Sequence, residues 1–352
     1  MPLGSGLLGL RFLGCRTEDI PEAKRGSVLV IGAGPAGLGA AGRLVCMGHE
    51  VVVVDKMPEP GGLLIFGIPE FRVRKDRVRA GIRELREAGV EFRTGIEVGR
   101  DVSLEKLIHE FDAVLIATGT WKTKRLRIPG AELEGVYGAL EYIVEYFMAK
   151  YGYRPLSSVP ALGERVAVIG GGFTAIDACH IAMERGAREI HLVYRRTRRE
   201  APAGPNEFEM LEKKGVNIHE LVSPKRYVGC DSRVCGVELI RMRLGAPDES
   251  GRPRPEPIPG SEFILEVTAV LEAVGLRPTP PFDPETNHGI RLNQDGTIWT
   301  DEFFRTTRRK VFAAGDVKHG PSKIGPALKS GIDAAQAIHK FLVGELKGWP
   351  GL

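Results

Sequence analysis

Short stretches that are apolar at every position punctuate the chain, and two pairs of them share one layout. Val28–Ile31 and Val51–Val54 flank a glycine turn and a run of small residues, and Val166–Ile169 and Ile190–Val193 flank another. Runs of this length and uniformity predict strands buried on both faces, and the small-residue segment between them predicts a helix. Gly48 and Gly186 stand where each helix should stop. The segments 27–56 and 165–196 are thus two copies of one strand–turn–helix–strand unit.

The turns carry the chemistry. Gly32, Gly34 and Gly37 form G-x-G-x-x-G, and Gly170, Gly172 and Ala175 form G-x-G-x-x-A. In such a turn the first glycine permits the tight bend. The second lets a pyrophosphate reach the backbone, and the third position lets helix and strand pack closely. The helix N-terminus then offers free amides to the phosphates. One such fingerprint is weak; two in matching strand–helix contexts are specific for dinucleotides. Counting from Gly48 and Gly186, with one extra residue in the second copy, aligns Asp55 with Tyr194. A carboxylate at Asp55 accepts ribose hydroxyls and repels a 2′-phosphate, so the first site suits FAD or NAD. The second has Arg195 and Arg196 instead, whose planar forks suit a phosphate, and so reads as an NADP site.

The remaining pattern frames these units. Segment 60–75 opens on paired glycines and runs through an apolar stretch to Pro69, a backbone able to lie against a planar ligand. A helix over about 76–88 and a strand ending in the small residues near 117–119 follow. A helix and linker are expected over 140–160, a Pro/Gly-rich loop over 248–260, a strand over 269–275, and a helix starting near Pro326. The expected fold is α/β, with two Rossmann-like dinucleotide-binding domains, the NADP domain inserted into the FAD domain. The boundaries read as an extension at 1–25, a discontinuous FAD domain at 26–150 and 282–352, and an NADP(H) domain at 151–281.

Composition narrows the setting. The chain has 352 residues, 43% of them hydrophobic, which allows large cores, and its net charge of +4 is modest for a nucleic-acid protein. Four arginines do crowd into positions 195–199, but without interleaved aromatics. A single phosphate is the better partner for Arg195 and Arg196, with Arg198 and Arg199 left as supporting field or solvated surface. The five cysteines form no C-x-x-C pair, which favours a reducing, cytoplasmic setting without a disulfide framework or metal site. Cys46 and Cys179, each on the helix of a repeat unit, read as buried apolar thiols. The first 15 residues lack a basic start and read as a flexible or docking segment rather than an export signal. No apolar run approaches the ~20 residues of a membrane span. Four Asn and two Gln in the whole chain hint at a thermophile.

The segments GAGPAG (32–37), GGLLIFGIPEFR (61–72), ATG (117–119), GGGFTAID (170–177), YRRTRREAPA (194–203) and AAGDV (313–317) resemble the small subunit of glutamate synthase and related flavin subunits of NADPH-linked complexes. More distantly the chain resembles adrenodoxin reductase. The resemblance implies FAD at Gly32, Gly34, Pro35, Ala36, Gly37, Asp55, Lys56, Gly62, Leu63, Ala117, Thr118, Gly119, Gly315 and Asp316. It places Lys323, Ile324 and Ala327 beside the pyrimidine side of the flavin, where a helix N-terminus would favour negative charge on the reduced ring. It assigns Gly170, Gly172, Phe173, Thr174, Ala175, Arg195 and Arg196 to NADP(H). Position 199 is Arg where relatives usually carry Glu. The cysteine-rich iron–sulfur domain of the glutamate synthase type is not expected, since only Cys15 precedes the first strand.

Hydride transfer needs positioning rather than a proton shuttle, so no side chain is expected to be catalytic and no metal is implied. His319 could border the flavin or lie at the surface, and Glu207 could touch the nicotinamide ribose. The expected function is an FAD-dependent oxidoreductase that takes hydride from NADPH and passes electrons to a separate protein or small acceptor. The alternative is an obligate relay subunit of a larger complex with little activity alone.

Overall fold

The computed structural model describes residues 11–248 and 251–350. The chain divides into two compact units, 1–121 with 277–352, and 122–276. The first begins with β1 (Ser27–Ile31), α1 (Pro35–Cys46), β2 (Glu50–Asp55), the short α2 (Leu63–Phe66), α3 (Lys75–Glu87), β3 (Glu91–Thr94), α4 (Leu104–Glu110) and β4 (Ala113–Ile116). The chain leaves along β5 (Thr120–Thr123). The second unit then forms β6 (Val136–Gly138), α5 (Ala139–Lys150), β7 (Arg165–Ile169), α6 (Phe173–Glu184), β8 (Glu189–Tyr194), α7 (Pro205–Lys213), β9 (Asn217–Glu220) and β10 (Val222–Cys230). It continues through β11 (Arg233–Pro247), β12 (Pro253–Pro257), β13 (Phe263–Glu266) and β14 (Ala269–Glu272). The chain returns along β15 (Leu276–Pro278) and ends the first unit with β16 (Val311–Ala313), α8 (Asp316–His319) and α9 (Ile324–Leu342).

Each unit is built on a five-stranded parallel sheet, in the order β16-β4-β1-β2-β3 in the first and β6-β14-β7-β8-β9 in the second. The uniform apolar runs are the central strands, and Val28–Val30 and Val166–Val168 are fully buried. The two registers match: Ile31 pairs with Val54, and Ile169 with Val193. Asp55 and Tyr194 therefore occupy equivalent positions, one residue past the last paired valine. In the first unit α9 crosses α1 so closely that a Cβ on Gly331 would sit 1.9 Å from the carbonyl of Ala36. This crossing brings the start of α9 to the glycine turn.

Three expectations are corrected. The second unit takes in residues 122–150, because β6 pairs with β14 in its sheet and α5 follows directly. The loop expected over 248–260 contains β12, whose prolines 253, 255 and 257 are tolerated because it is an edge strand with outer amides to spare. The cysteines are paired, Cys15 with Cys46 and Cys230 with Cys235, and only Cys179 is a free, buried thiol. The cysteines therefore lend no support to a reducing compartment. Of the 1–15 segment, residues 1–10 lie outside the described residues. Phe12 and Leu13 are buried, and the carbonyl of Phe12 lies 2.0 Å from where a Cβ on Gly42 of α1 would be. No described helix is long and apolar enough to cross a membrane.

The Cys15–Cys46 bond closes a loop with a sequence separation of 31 and clips this segment to α1. Such a closure removes about 2–4 kcal/mol of unfolded-state freedom. Chemical denaturation of Cys15→Ser is expected to show a loss of about that size. An unchanged midpoint would mean that the bond does not form or adds nothing.

Candidate functional site

In the first unit the ends of β1, β2 and β4 meet the starts of α1 and α9 around a cleft. Its wall includes Gly32, Gly34, Pro35, Ala36, Asp55, Gly62, Leu63, Ala117, Thr118, Gly119, Asp316, Lys323, Ile324 and Ala327, all expected from the sequence. The glycines act as the turn requires. Gly32 has φ +110°, and a Cβ on it would lie 2.4 Å from the carbonyl of Ala117. A Cβ on Gly37 would lie 1.8 Å from the carbonyl of Gly32, so α1 is pressed onto its own turn. Gly34 faces open space with nothing within 4 Å of such a Cβ, and no side chain caps α1. That opening beside bare amides is the shape a pyrophosphate needs.

Asp55 is buried and accepts hydrogen bonds from the amides of Ala33 at 2.6 Å and Met57 at 2.7 Å. Desolvation raises its pKa from the ordinary value, against the pull of those two amides. Its two oxygens retain lone pairs for ribose hydroxyls. Asp316, at the start of α8, accepts from the Ser322 hydroxyl at 2.5 Å, and burial raises its pKa also. The buried hydroxyl of Thr118 has no hydrogen-bond partner among the described residues. A buried polar atom left open along a cleft is a sign that a polar ligand completes it. The α9 N-terminus likewise has no side-chain cap.

Several of the expected residues do not themselves line the cleft. Gly37 and Gly315 shape the wall from behind, Gly315 through its close approach to Ala36. Lys56 is exposed and stacks on Trp121, 4.7 Å from the ring centroid. His319 takes the surface alternative: it is exposed, with its imidazole against Ser330 at 3.2 Å. Leu64, Ile68, Thr120, Trp121 and Ser322 line the cleft without having been singled out. Trp121 follows the small-residue strand end and is held by its indole N–H to the Thr118 carbonyl at 2.8 Å. Lys75 was also missed. It is 2% exposed, and its ammonium donates to the carbonyls of Leu64 at 2.6 Å and Ile68 at 2.5 Å. It thereby fixes the two lining residues on either side of Gly67.

The second fingerprint repeats the geometry by itself. Gly170 has φ +148° and its Cβ position would lie 2.4 Å from the carbonyl of Ala273, Gly172 faces open space, and Ala175 is fully buried. Phe173 and Thr174 open α6, which carries no side-chain cap. Gly171 lies against Tyr194, whose ring would be 2.5 Å from a Cβ there. Arg195 is exposed directly beyond. Arg196 contradicts its assignment: it is 2% exposed, with its guanidinium bonded to Asp248 at 2.6 Å and the carbonyl of Pro253 at 2.7 Å. Arg198 is a structural tie, bonded through both terminal nitrogens to Glu212 at 2.8 and 2.9 Å and through Nε to Glu220 at 3.0 Å. Arg199 is exposed, and Glu207 sits in the first turn of α7.

Residues 26–336, most of the chain, match the family described as pyridine nucleotide-disulphide oxidoreductase. The chain belongs to that family. Among curated relatives, the glutamate synthase [NADPH] small chain of Halomonas elongata is 41% identical over 90% of this chain and 68% of its own length. The NADP(+)-dependent formate dehydrogenase subunit beta of Moorella thermoacetica is 38% identical over 94% of this chain but only 45% of its own length. The structure of Mycobacterium tuberculosis FprA in complex with NADPH has the same fold, with a TM-score of 0.77 at 21% identity over 92% of this chain and 87% of that one. The chain is accordingly an oxidoreductase with the two-domain fold of this family.

The glycine geometry gives a separable pair of outcomes. Gly37→Ala drives a methyl into a backbone carbonyl and is expected to cost more than the ~1–3 kcal/mol of ordinary overpacking. Gly34→Ala meets no protein atom and is expected to keep the apoprotein's stability while losing bound flavin. Thermal melts of the flavin-free variants, with absorbance of the purified forms, read both; equal destabilisation by the two changes would contradict the assignment.

Proposed function

We propose that the chain is an FAD-dependent oxidoreductase that takes hydride from NADPH and delivers electrons to a separate acceptor. The carrying observation is the contrast at equivalent positions of the two fingerprints: a buried carboxylate, Asp55, in the first, and Tyr194 followed by exposed Arg195 in the second. The first cleft suits FAD. Gly34 and the α1 amides face its pyrophosphate, Asp55 its adenosine ribose, and Asp316 its ribityl region. Lys323, Ile324 and Ala327 set the α9 N-terminus beside the ring, where positive helix-end potential favours the charge of the reduced form. In the second unit Gly172, Phe173 and Thr174 offer the NADP pyrophosphate open backbone, and Arg195 reaches toward the 2′-phosphate. When bound, NADPH supplies the hydride and FAD accepts it and releases electrons one or two at a time. The protein's part is to bind, orient and shield, and no side chain is needed as an acid or base.

A relay role within a larger assembly is supported by the relatives, whose names describe chains or subunits of complexes and whose lengths exceed the match. The partner here would be the electron acceptor. We further place the protein in the cytoplasm of a heat-adapted organism. Disulfides occur in intracellular proteins of hyperthermophiles, and the scarcity of Asn and Gln points the same way.

Anaerobic titration tests the core of this reading. One equivalent of NADPH is expected to bleach the flavin absorbance of the isolated chain, and NADH to need a concentration at least tenfold higher, the worth of about one charge-assisted contact. Equal response to the two nucleotides would remove the 2′-phosphate assignment. Absence of flavin from protein expressed with ample FAD would remove the first site. Turnover of NADPH with an artificial dye at ordinary enzyme rates would exclude the relay subunit that is inactive alone.

A further inference from the structure

Thr120 is a wall residue of the first cleft that the proposed function leaves without a task. It opens β5 and lines the cleft together with Thr118, Gly119 and Trp121. It is 1% exposed, and its hydroxyl makes no hydrogen bond among the described residues. A hydroxyl taken out of water without a partner destabilises the chain that holds it, and a ligand that supplies the missing group removes that penalty.

The backbone before Thr120 is fixed from two sides. The carbonyl of Thr118 accepts the Trp121 indole N–H at 2.8 Å. The carbonyl of Gly119 accepts the amide and the hydroxyl of Thr279, at 3.1 and 3.2 Å. Gly119 has φ +73°, which glycine adopts without strain. A held backbone therefore presents the hydroxyl, and branching at Cβ keeps the threonine side chain stiff at χ1.

A neighbouring group narrows what the hydroxyl can bind. Asp316 lines the same cleft and accepts from the Ser322 hydroxyl at 2.5 Å. Burial raises the Asp316 pKa, against opposing pulls from Ser322, His319 and, last, the Thr120 hydroxyl. A carboxylate beside a neutral hydroxyl disfavours an anionic oxygen such as that of a phosphate. It suits an alcohol, which can donate to the carboxylate and accept from the threonine O–H. FAD carries a row of such alcohols in its ribityl chain, between the ring and the pyrophosphate.

Resting on the reading of the first cleft as an FAD site, we propose that Thr120 is a cofactor-binding residue whose hydroxyl bonds to the ribityl hydroxyls and shares them with Asp316. Neither the glycine fingerprint nor the family resemblance marks it, because it lies beyond the small residues that follow β4. The ribityl chain is common to flavins and absent from nicotinamide nucleotides. Thr120 thereby favours a flavin in this cleft over the other class of dinucleotide.

Titration of the cofactor-free chain, read by quenching of flavin fluorescence, tests this with FAD and with riboflavin. Riboflavin keeps the ribityl chain and lacks both phosphates and the adenosine. Thr120→Val exchanges hydroxyl for methyl at nearly constant shape. It is expected to weaken both flavins by the same factor, about 2- to 12-fold, the worth of one neutral hydrogen bond. The melting temperature of the cofactor-free variant is expected to be unchanged or higher, since an unpaired buried hydroxyl has been removed; a merely structural threonine would lower it. Thr120→Ser is expected to bind both flavins as the unaltered chain does. A loss confined to FAD would put the contact at the phosphates or the adenosine and overturn the ribityl assignment. Unchanged affinity for both would overturn the inference and leave the FAD site standing. If the unaltered chain binds neither flavin, the site reading itself fails and takes the inference with it. If riboflavin alone binds too weakly to titrate, FMN takes its place: a loss shared with FAD supports the inference, and one confined to FAD overturns it. Should Thr120→Val not fold, Thr120→Ala compared with Thr120→Ser reads the same contrast.

Discussion

Gly37 lies where one added methyl group would meet the carbonyl of Gly32 at 1.8 Å, and the first unit is organised around that contact. It presses the start of α1 onto the turn after β1, so the helix's free amides open directly onto the strand ends. The close crossing at Gly331 then brings α9 to the same place. Two helix N-termini, neither capped by a side chain, therefore face one cleft. Remove the close packing and both termini move away from the cleft. Lys75 serves another part of the lining, where one buried ammonium holds the carbonyls of Leu64 and Ile68.

The second unit keeps this backbone plan and changes the strand end. In the first copy Ala33 faces Asp55 and donates its amide to that carboxylate. In the second, Gly171 makes room for the ring of Tyr194, which is also packed 6.0 Å from Phe208 between centroids. An aromatic ring there takes the space of the carboxylate and leaves the edge to arginine. In the proposed reading, the residues just past the last paired valine turn the same scaffold from ribose-hydroxyl recognition to phosphate recognition.

Much of this was legible because it is local. Glycine spacing, uniform apolar runs and the strand-end positions of Asp55 and Tyr194 are each set within one repeat unit of about 30 residues and obey strand and helix periodicity. The features that escaped depend on partners distant in sequence. Arg196 reads as a phosphate ligand until Asp248, 52 positions on, takes its guanidinium. Cys46 reads as a core thiol because nothing in a helix reveals that Cys15 folds back over it. The boundary near 150 fails for the same reason: β6 is three residues long and gains its place only by pairing with β14. Lys75 carries no signal at all, since a lysine at the start of a helix normally looks solvated.

In the proposed reading the two units divide the labour, with one dinucleotide held by each fingerprint. Native mass spectrometry of Gly172→Ala, with and without added NADP+, reads that division without relying on turnover. The variant is expected to retain the mass of one FAD and to gain no NADP+, whereas the unaltered chain gains one. Loss of FAD from Gly172→Ala, or undiminished uptake of NADP+ by it, would contradict the division.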